Sequence, residues 1–227
     1  MVFQLNRLFL SSLAIAGLIT ACSSPPTSVE ETPSQQTAME EHSGMKEETI
    51  NHADMDHAQV DLGPADEAYD LRFIDAMIPH HEGAVVMAQE VLAQSQKPEL
   101  LALATEIIEA QTEEIAQMQE WRETWYPDAP ETPMAWDTTT NEMMPMSAEQ
   151  MSAMRMDMDL GAADEDFEKR FLKAMIPHHE GALMMAEDLK AKSERPEMQL
   201  FAQGIIDSQA AEIGQMRQWL KEWYDKE

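Results

Sequence analysis

Two stretches of this chain carry residues whose types and spacing could do chemistry. Met-Ile-Pro-His-His-Glu-Gly-Ala occurs at 77–84 and again at 175–182. On a helix, Met77 stands three residues from His80 and four from His81, which makes the three side chains neighbours; Met175, His178 and His179 repeat the arrangement. Thioether and imidazole together select copper, above all copper(I), whereas magnesium, calcium and manganese prefer oxygen-rich sites. Di-iron bundles carry Glu-x-x-His on their helices. Here the corresponding spacing is Met-x-x-His, a soft sulfur in place of a hard oxygen. Zinc at His-His-Glu is an alternative, although its sites seldom use methionine. A purely structural role is the other: a buried histidine needs only a hydrogen-bond partner.

Further donors surround this motif. Met118 and Met216 fall in the apolar stripe of a following helix, flanked by Trp121 and Trp125 and by Trp219 and Trp223. They read either as ligands or as sulfur packed on aromatic rings. Met87 and Met185 stand seven residues after the first histidine of each pair and read the same two ways. Gln111 and Gln209 are polar residues in an apolar stripe. They would either hydrogen-bond a ligand histidine from outside or pair within the core. The remaining histidines, His42, His52 and His57, lie near Met45 and Met55 and form a candidate accessory metal-capture segment. Residues 143–159 hold seven of the 20 methionines, as a second soft-metal surface or as packing.

The elements that must position these residues form an internal repeat. Residues 66–126 and 164–224 align without a gap at an offset of 98, and 30 of 61 positions are identical. Each copy reads as two helices. In the first, Phe73, Met77, His80, Ala84, Ala88 and Val91 recur at three- and four-residue steps. Pro79 inside that pattern predicts either a kink near Asp75 or a separate helix beginning at the proline. The second helix is expected to open at Pro98, with Ala104, Ile107, Ile108, Gln111, Ile115 and Met118 inward, and to stop before Pro127; the partner copy opens at Pro196. A two-helix hairpin buries only one face, so two hairpins should close into a four-helix bundle. Residues 63–126 then form repeat 1, 127–146 a linker, and 147–227 a Met-rich short helix with repeat 2. Ser147 and Gln150 fit a capping box opening that short helix, with Met151, Met154 and Met158 on one face.

Upstream, Arg7 and the apolar run Leu8 to Ile19 read as a signal peptide over 1–21, too short for a comfortable membrane span. Ile19-Thr20-Ala21-Cys22 resembles a lipid-attachment site, and Cys22 is the only cysteine. This predicts a lipoprotein of the bacterial cell envelope, facing periplasm or exterior. Ser23 after the cysteine is compatible with the outer membrane. Residues 22–62, rich in Ser, Pro, Thr, Glu and Gln, read as a disordered tether. Lipidation of Cys22 leaves thioethers as the soft sulfur donors. With 43 acidic against 15 basic residues, net charge −28, nucleic acid and anionic membrane surfaces are not expected as partners, because a phosphate backbone would be repelled.

The motif at 77–84, followed by Met87-Ala88 and then by Gln-x-x-Glu-Ile-x-x-Met-x-x-Trp at 111–121, resembles the ferritin-like domain of unknown function three hundred and five, in both copies. The resemblance implies a ferritin-like all-α fold and extracytoplasmic copper binding linked to copper tolerance. It carries over Met77, His80, His81 and Met118, with Met175, His178, His179 and Met216. The expectation is a copper sequestration or tolerance protein without catalytic turnover. A copper(I) oxidase or other metal-dependent redox enzyme, and a metal-free structural module, are the rivals.

Overall fold

The structure is a computed structural model that describes residues 60–224; the segments holding Cys22, His42, Met45, His52, Met55 and His57 lie outside the described residues. Four long helices dominate: α1 (Tyr69–Gln94), α2 (Pro98–Trp125), and, after a connector, α4 (Phe167–Lys192) and α5 (Pro196–Tyr224). The connector holds a two-stranded antiparallel hairpin, β1 (Met134–Asp137) and β2 (Glu142–Pro145), and the short helix α3 (Ala148–Arg155). None of the described helices is long and apolar enough to cross a membrane.

The same local chemistry starts and stops both hairpins. An Asx turn precedes α1, with Asp66 Oδ1 accepting from the Ala68 N–H; Asp164 Oδ1 accepts from Asp166 N–H before α4. Ser95 and Ser193 cap the ends of α1 and α4, their N–H groups bonding Val91 and Leu189 carbonyls. Each serine Oγ then accepts the N–H two residues on, at 3.2 Å in both copies. Pro98 and Pro196 open the next helices, where a missing N–H costs nothing. α1 runs unbroken through Pro79, so a separate helix beginning there is ruled out. The proline still deprives the Asp75 carbonyl of its helical donor.

Packing mixes the copies. One core cluster joins Ala84, Met87, Ala88, Val91, Leu100 and Ile107 of the first repeat to Phe167, Phe171, Leu172, Met175 and Met216 of the second. The other joins Tyr69, Phe73, Ile74, Met77 and Met118 to Met185, Ala186, Leu189, Met198 and Ile205. The C-terminal half of α1 therefore packs on the N-terminal half of α4, and the reverse, so these two helices run antiparallel. This is the four-helix bundle of two hairpins, with one interleaved interior. His80 and His178 meet where α1 and α4 cross, their ring centroids 3.9 Å apart.

The connector departs from expectation in its hairpin and at Met158. The capping box is present: Ser147 Oγ accepts from the Gln150 N–H and Gln150 Oε1 from the Ser147 N–H. Met151 and Met154 pack against the core. Met158 does not share their face, because α3 ends at Arg155 and Met156 turns into the left-handed region at φ 46°. Met158 is 36% exposed.

Candidate metal centre

α1 and α4 bury all four motif histidines; none exceeds 1% exposure. His81 Nε2 lies 2.7 Å from Glu114 Oε2, and His179 Nε2 lies 2.6 Å from Glu212 Oε2. A carboxylate accepts, so Nε2–H donates and Nδ1 is the nitrogen left for another partner. His178 Nε2 donates likewise to the Arg155 carbonyl at 3.1 Å. That is how a metal-ligating histidine is oriented: the far nitrogen is tied to an acceptor and the near one is left as a donor to the metal.

The near nitrogens have no hydrogen-bond partner. Nδ1 of His80, His81, His178 and His179 are all buried and unpaired, and so is His80 Nε2. An unsatisfied buried polar atom costs about 1–3 kcal/mol, so five of them in one place require a reason. Burial pushes the His80 ring well below the ordinary histidine pKa, with the other three motif histidines adding to the effect. Burial, then His179, takes His178 down to about 3. Both rings are neutral at physiological pH, the form that binds metal.

Six methionines associated with the motifs fall into the two core clusters, three helices contributing to each. Met77 of α1, Met118 of α2 and Met185 of α4 share one core cluster. Met175 of α4, Met216 of α5 and Met87 of α1 share the other. All six are at most 3% exposed. The interleaving thus gives each group two methionines from one repeat and one from the other, which spacing along a single repeat does not reveal. Trp121 stacks on Trp125 and Trp219 on Trp223, at 5.0 and 5.2 Å between centroids.

The donor set is soft. The Glu of each His-His-Glu turns away: Glu82 accepts from Arg155 at 2.8 Å, and Glu180 pairs with Arg217. Among the described residues no group of three or more His, Cys, Asp and Glu is arranged to hold a metal. A zinc site at His-His-Glu is not assembled. Gln111 and Gln209 reach no histidine; both Gln111 amide atoms and Gln209 Oε1 are buried without partners. The outer partner is instead the glutamate one turn later, Glu114 or Glu212. The Gln-x-x-Glu spacing held that signal, since the i+3 residue lies on the same helix face.

The family model described as "Domain of unknown function (DUF305)" matches this chain at residues 14–122 and 70–220. The chain belongs to the DUF305 family. Among solved structures it is similar to CopM in the Cu(I)-bound form, with 39% identity, 68% of this chain and 97% of that chain covered, and a TM-score of 0.54. CopM has also been solved in Ag-bound, Cu(II)-bound and apo forms. A DUF305 fragment from Deinococcus radiodurans is 29% identical over 70% of this chain and 99% of that one, with a TM-score of 0.55. A putative secreted DUF305 protein from Streptomyces coelicolor is 27% identical over 67% and 91%, with a TM-score of 0.53. No curated protein matches the chain.

Proposed function

We propose that this DUF305 protein binds copper(I) in the bundle interior and acts in copper sequestration or tolerance outside the cytoplasm, without catalytic turnover. One observation carries the reading: five buried imidazole nitrogens without partners, in a core that also buries six motif-associated methionines. Imidazole with thioether suits a soft monovalent ion, and a thioether does not form disulfides where thiols would be oxidised. The likeness to CopM, solved with Cu(I) and with Ag, supports the same reading. The lipid anchor at Cys22 is part of the proposal. Diacylation supplies a stable membrane hold, and Cys22→Ser should move the protein to the soluble fraction; retention in the membrane would remove that part.

Anaerobic titration of copper(I) against a competing chelator tests the metal assignment. Replacing His80, His81, His178 and His179 by alanine should abolish tight binding while helicity survives, because alanine is the best helix former. Met77→Leu with Met175→Leu should weaken copper(I) and silver(I) binding and cost less than about 1.5 kcal/mol of stability per site, since volume and apolarity are kept. Preference for zinc over copper(I), or parental affinity in the four-histidine variant, would overturn the assignment. Oxygen consumption by the copper-loaded protein would count against the absence of turnover.

A further inference from the structure

We infer that Met156, on the connector between the repeats, is a further soft-metal ligand that completes the His80 side of the central histidine pair. The inference rests on the copper(I) reading above and adds a donor that lies outside both repeats. The connector is held against the pair at close range. A Cβ on Gly83 would come 1.8 Å from the Arg155 carbonyl oxygen, so only glycine admits the backbone of α3 at that point. The same carbonyl accepts from His178 Nε2. The next residue is Met156, and its Sδ lies 3.8 Å from the Cβ position of Gly181, a point that His80 Nε2 approaches to 3.3 Å.

His80 therefore differs from the other three histidines. Their Nε2 atoms are tied to Glu114, to the Arg155 carbonyl and to Glu212. Among the described histidines, His80 alone has both ring nitrogens buried without a hydrogen-bond partner. Its Nε2 and the Met156 Sδ both lie within 4 Å of one point, the Cβ position of Gly181; a thioether is a weak hydrogen-bond acceptor but a good ligand for copper(I) or silver(I). An imidazole nitrogen without a partner and a thioether that approach the same point are a donor pair suited to a soft cation.

The backbone at Met156 adds an independent observation. Its φ of 46° and ψ of 22° lie in the left-handed region, where glycine is the unstrained residue. A methionine here keeps a strained turn and brings its sulfur within 3.8 Å of the Gly181 Cβ position, the point that His80 Nε2 also approaches.

The test uses the full chain with methionine methyl groups labelled with carbon-13, titrated anaerobically with silver(I) and, separately, with copper(I) against a chelator. The Met156 methyl resonance, assigned by its loss in Met156→Leu, should shift on silver(I) addition. Met156→Leu should weaken one class of copper(I) site by about tenfold or more, at least the loss expected from removing an outer partner. Met156→Gly should weaken the same class while melting no lower than the parent, because glycine suits the turn. A Met156 resonance that stays fixed, or parental affinity in both variants, would overturn the inference and leave the copper(I) reading standing. A parent that binds neither ion would overturn both.

Discussion

The two repeats are alike where they face each other and unlike where they face outward. Arg72 Nε donates to the Leu62 carbonyl at 2.5 Å, and Arg170 to the Leu160 carbonyl at 2.6 Å. The His–Glu pairs and the tryptophan stacks are likewise duplicated at an offset of 98. Away from the interior the copies part. Asp75 of α1 is buried and accepts from Arg122 and from the Met134 N–H of the hairpin. The corresponding positions in the second copy are an exposed Lys173 and Leu220. The hairpin is thus anchored through Asp75 and Arg122 of the first repeat, with no equivalent pair in the second, and the comparison shows which residues serve the duplicated interior and which serve its asymmetric cover.

The most severe way to break this comparison is to remove the docking carboxylate. Asp75→Ala leaves Arg122 and the Met134 N–H without their acceptor. Breaking a buried pair from one side costs about 3–5 kcal/mol, and Arg122 is partly exposed, so the loss should fall near the lower end, about 3 kcal/mol. Lys173→Ala at the equivalent site should change stability by no more than about 0.5 kcal/mol. Urea denaturation of both variants measures the difference. Equal losses would mean that the repeats are anchored alike and the asymmetry is only superficial.

Local signals made much of this fold legible in the sequence, and long-range ones did not. Pro98, Pro196 and the Ser147–Gln150 box mark helix starts through groups within one turn of each other, and each lies where its chemistry requires. The histidine pairs fell on the inward stripe by simple periodicity. The strands at Met134–Asp137 and Glu142–Pro145 were hidden because neither alternates cleanly between buried and exposed residues. Their turn rests on Asn141 at φ 54°, with its N–H bonded to the Asp137 carbonyl. Which methionines share a cluster depends on the antiparallel crossing of α1 and α4, a tertiary fact absent from either repeat. The acceptor for His178 is a backbone carbonyl, and no side-chain identity announces it.

A smaller effect should separate the two glycines that follow the histidine pairs. Gly83→Ala puts a methyl group into the Arg155 carbonyl, so α3 must move away from α1. Overpacking of this kind costs about 1–3 kcal/mol, less about 1 kcal/mol from the better helix propensity of alanine. Gly181→Ala meets the tip of His80 at 3.3 Å rather than backbone, and a side chain can give by a few tenths of an ångström. Its stability should stay close to parental. Thermal melting of the pair, with limited proteolysis across 127–160, would show whether the first variant frees the connector. If Gly181→Ala proved the more damaging, the His80 ring would be held more rigidly than its missing hydrogen bonds suggest.

The smallest expected effect concerns the second helices, and it runs toward stability. α5 carries Gly204 and Gly214 in its interior, where the matching residues of α2 are Glu106 and Ala116. Both glycines are exposed, and a Cβ on either meets nothing within 4 Å. Neither is needed for close approach, and neither has a positive φ. Each therefore only adds backbone freedom that the unfolded chain loses on folding. Gly204→Ala and Gly214→Ala should each stabilise by up to about 1 kcal/mol, the helix-interior difference between the two residues. The sites are ten residues apart on one helix and share no partner, so the gains should add. Both substitutions leave the donors of the proposed metal centre untouched, and copper(I) affinity measured beside the denaturation curve should not change. If affinity fell as the helix stiffened, α5 would have to move when the ion enters, and the two hairpins would differ in dynamics as well as in cover.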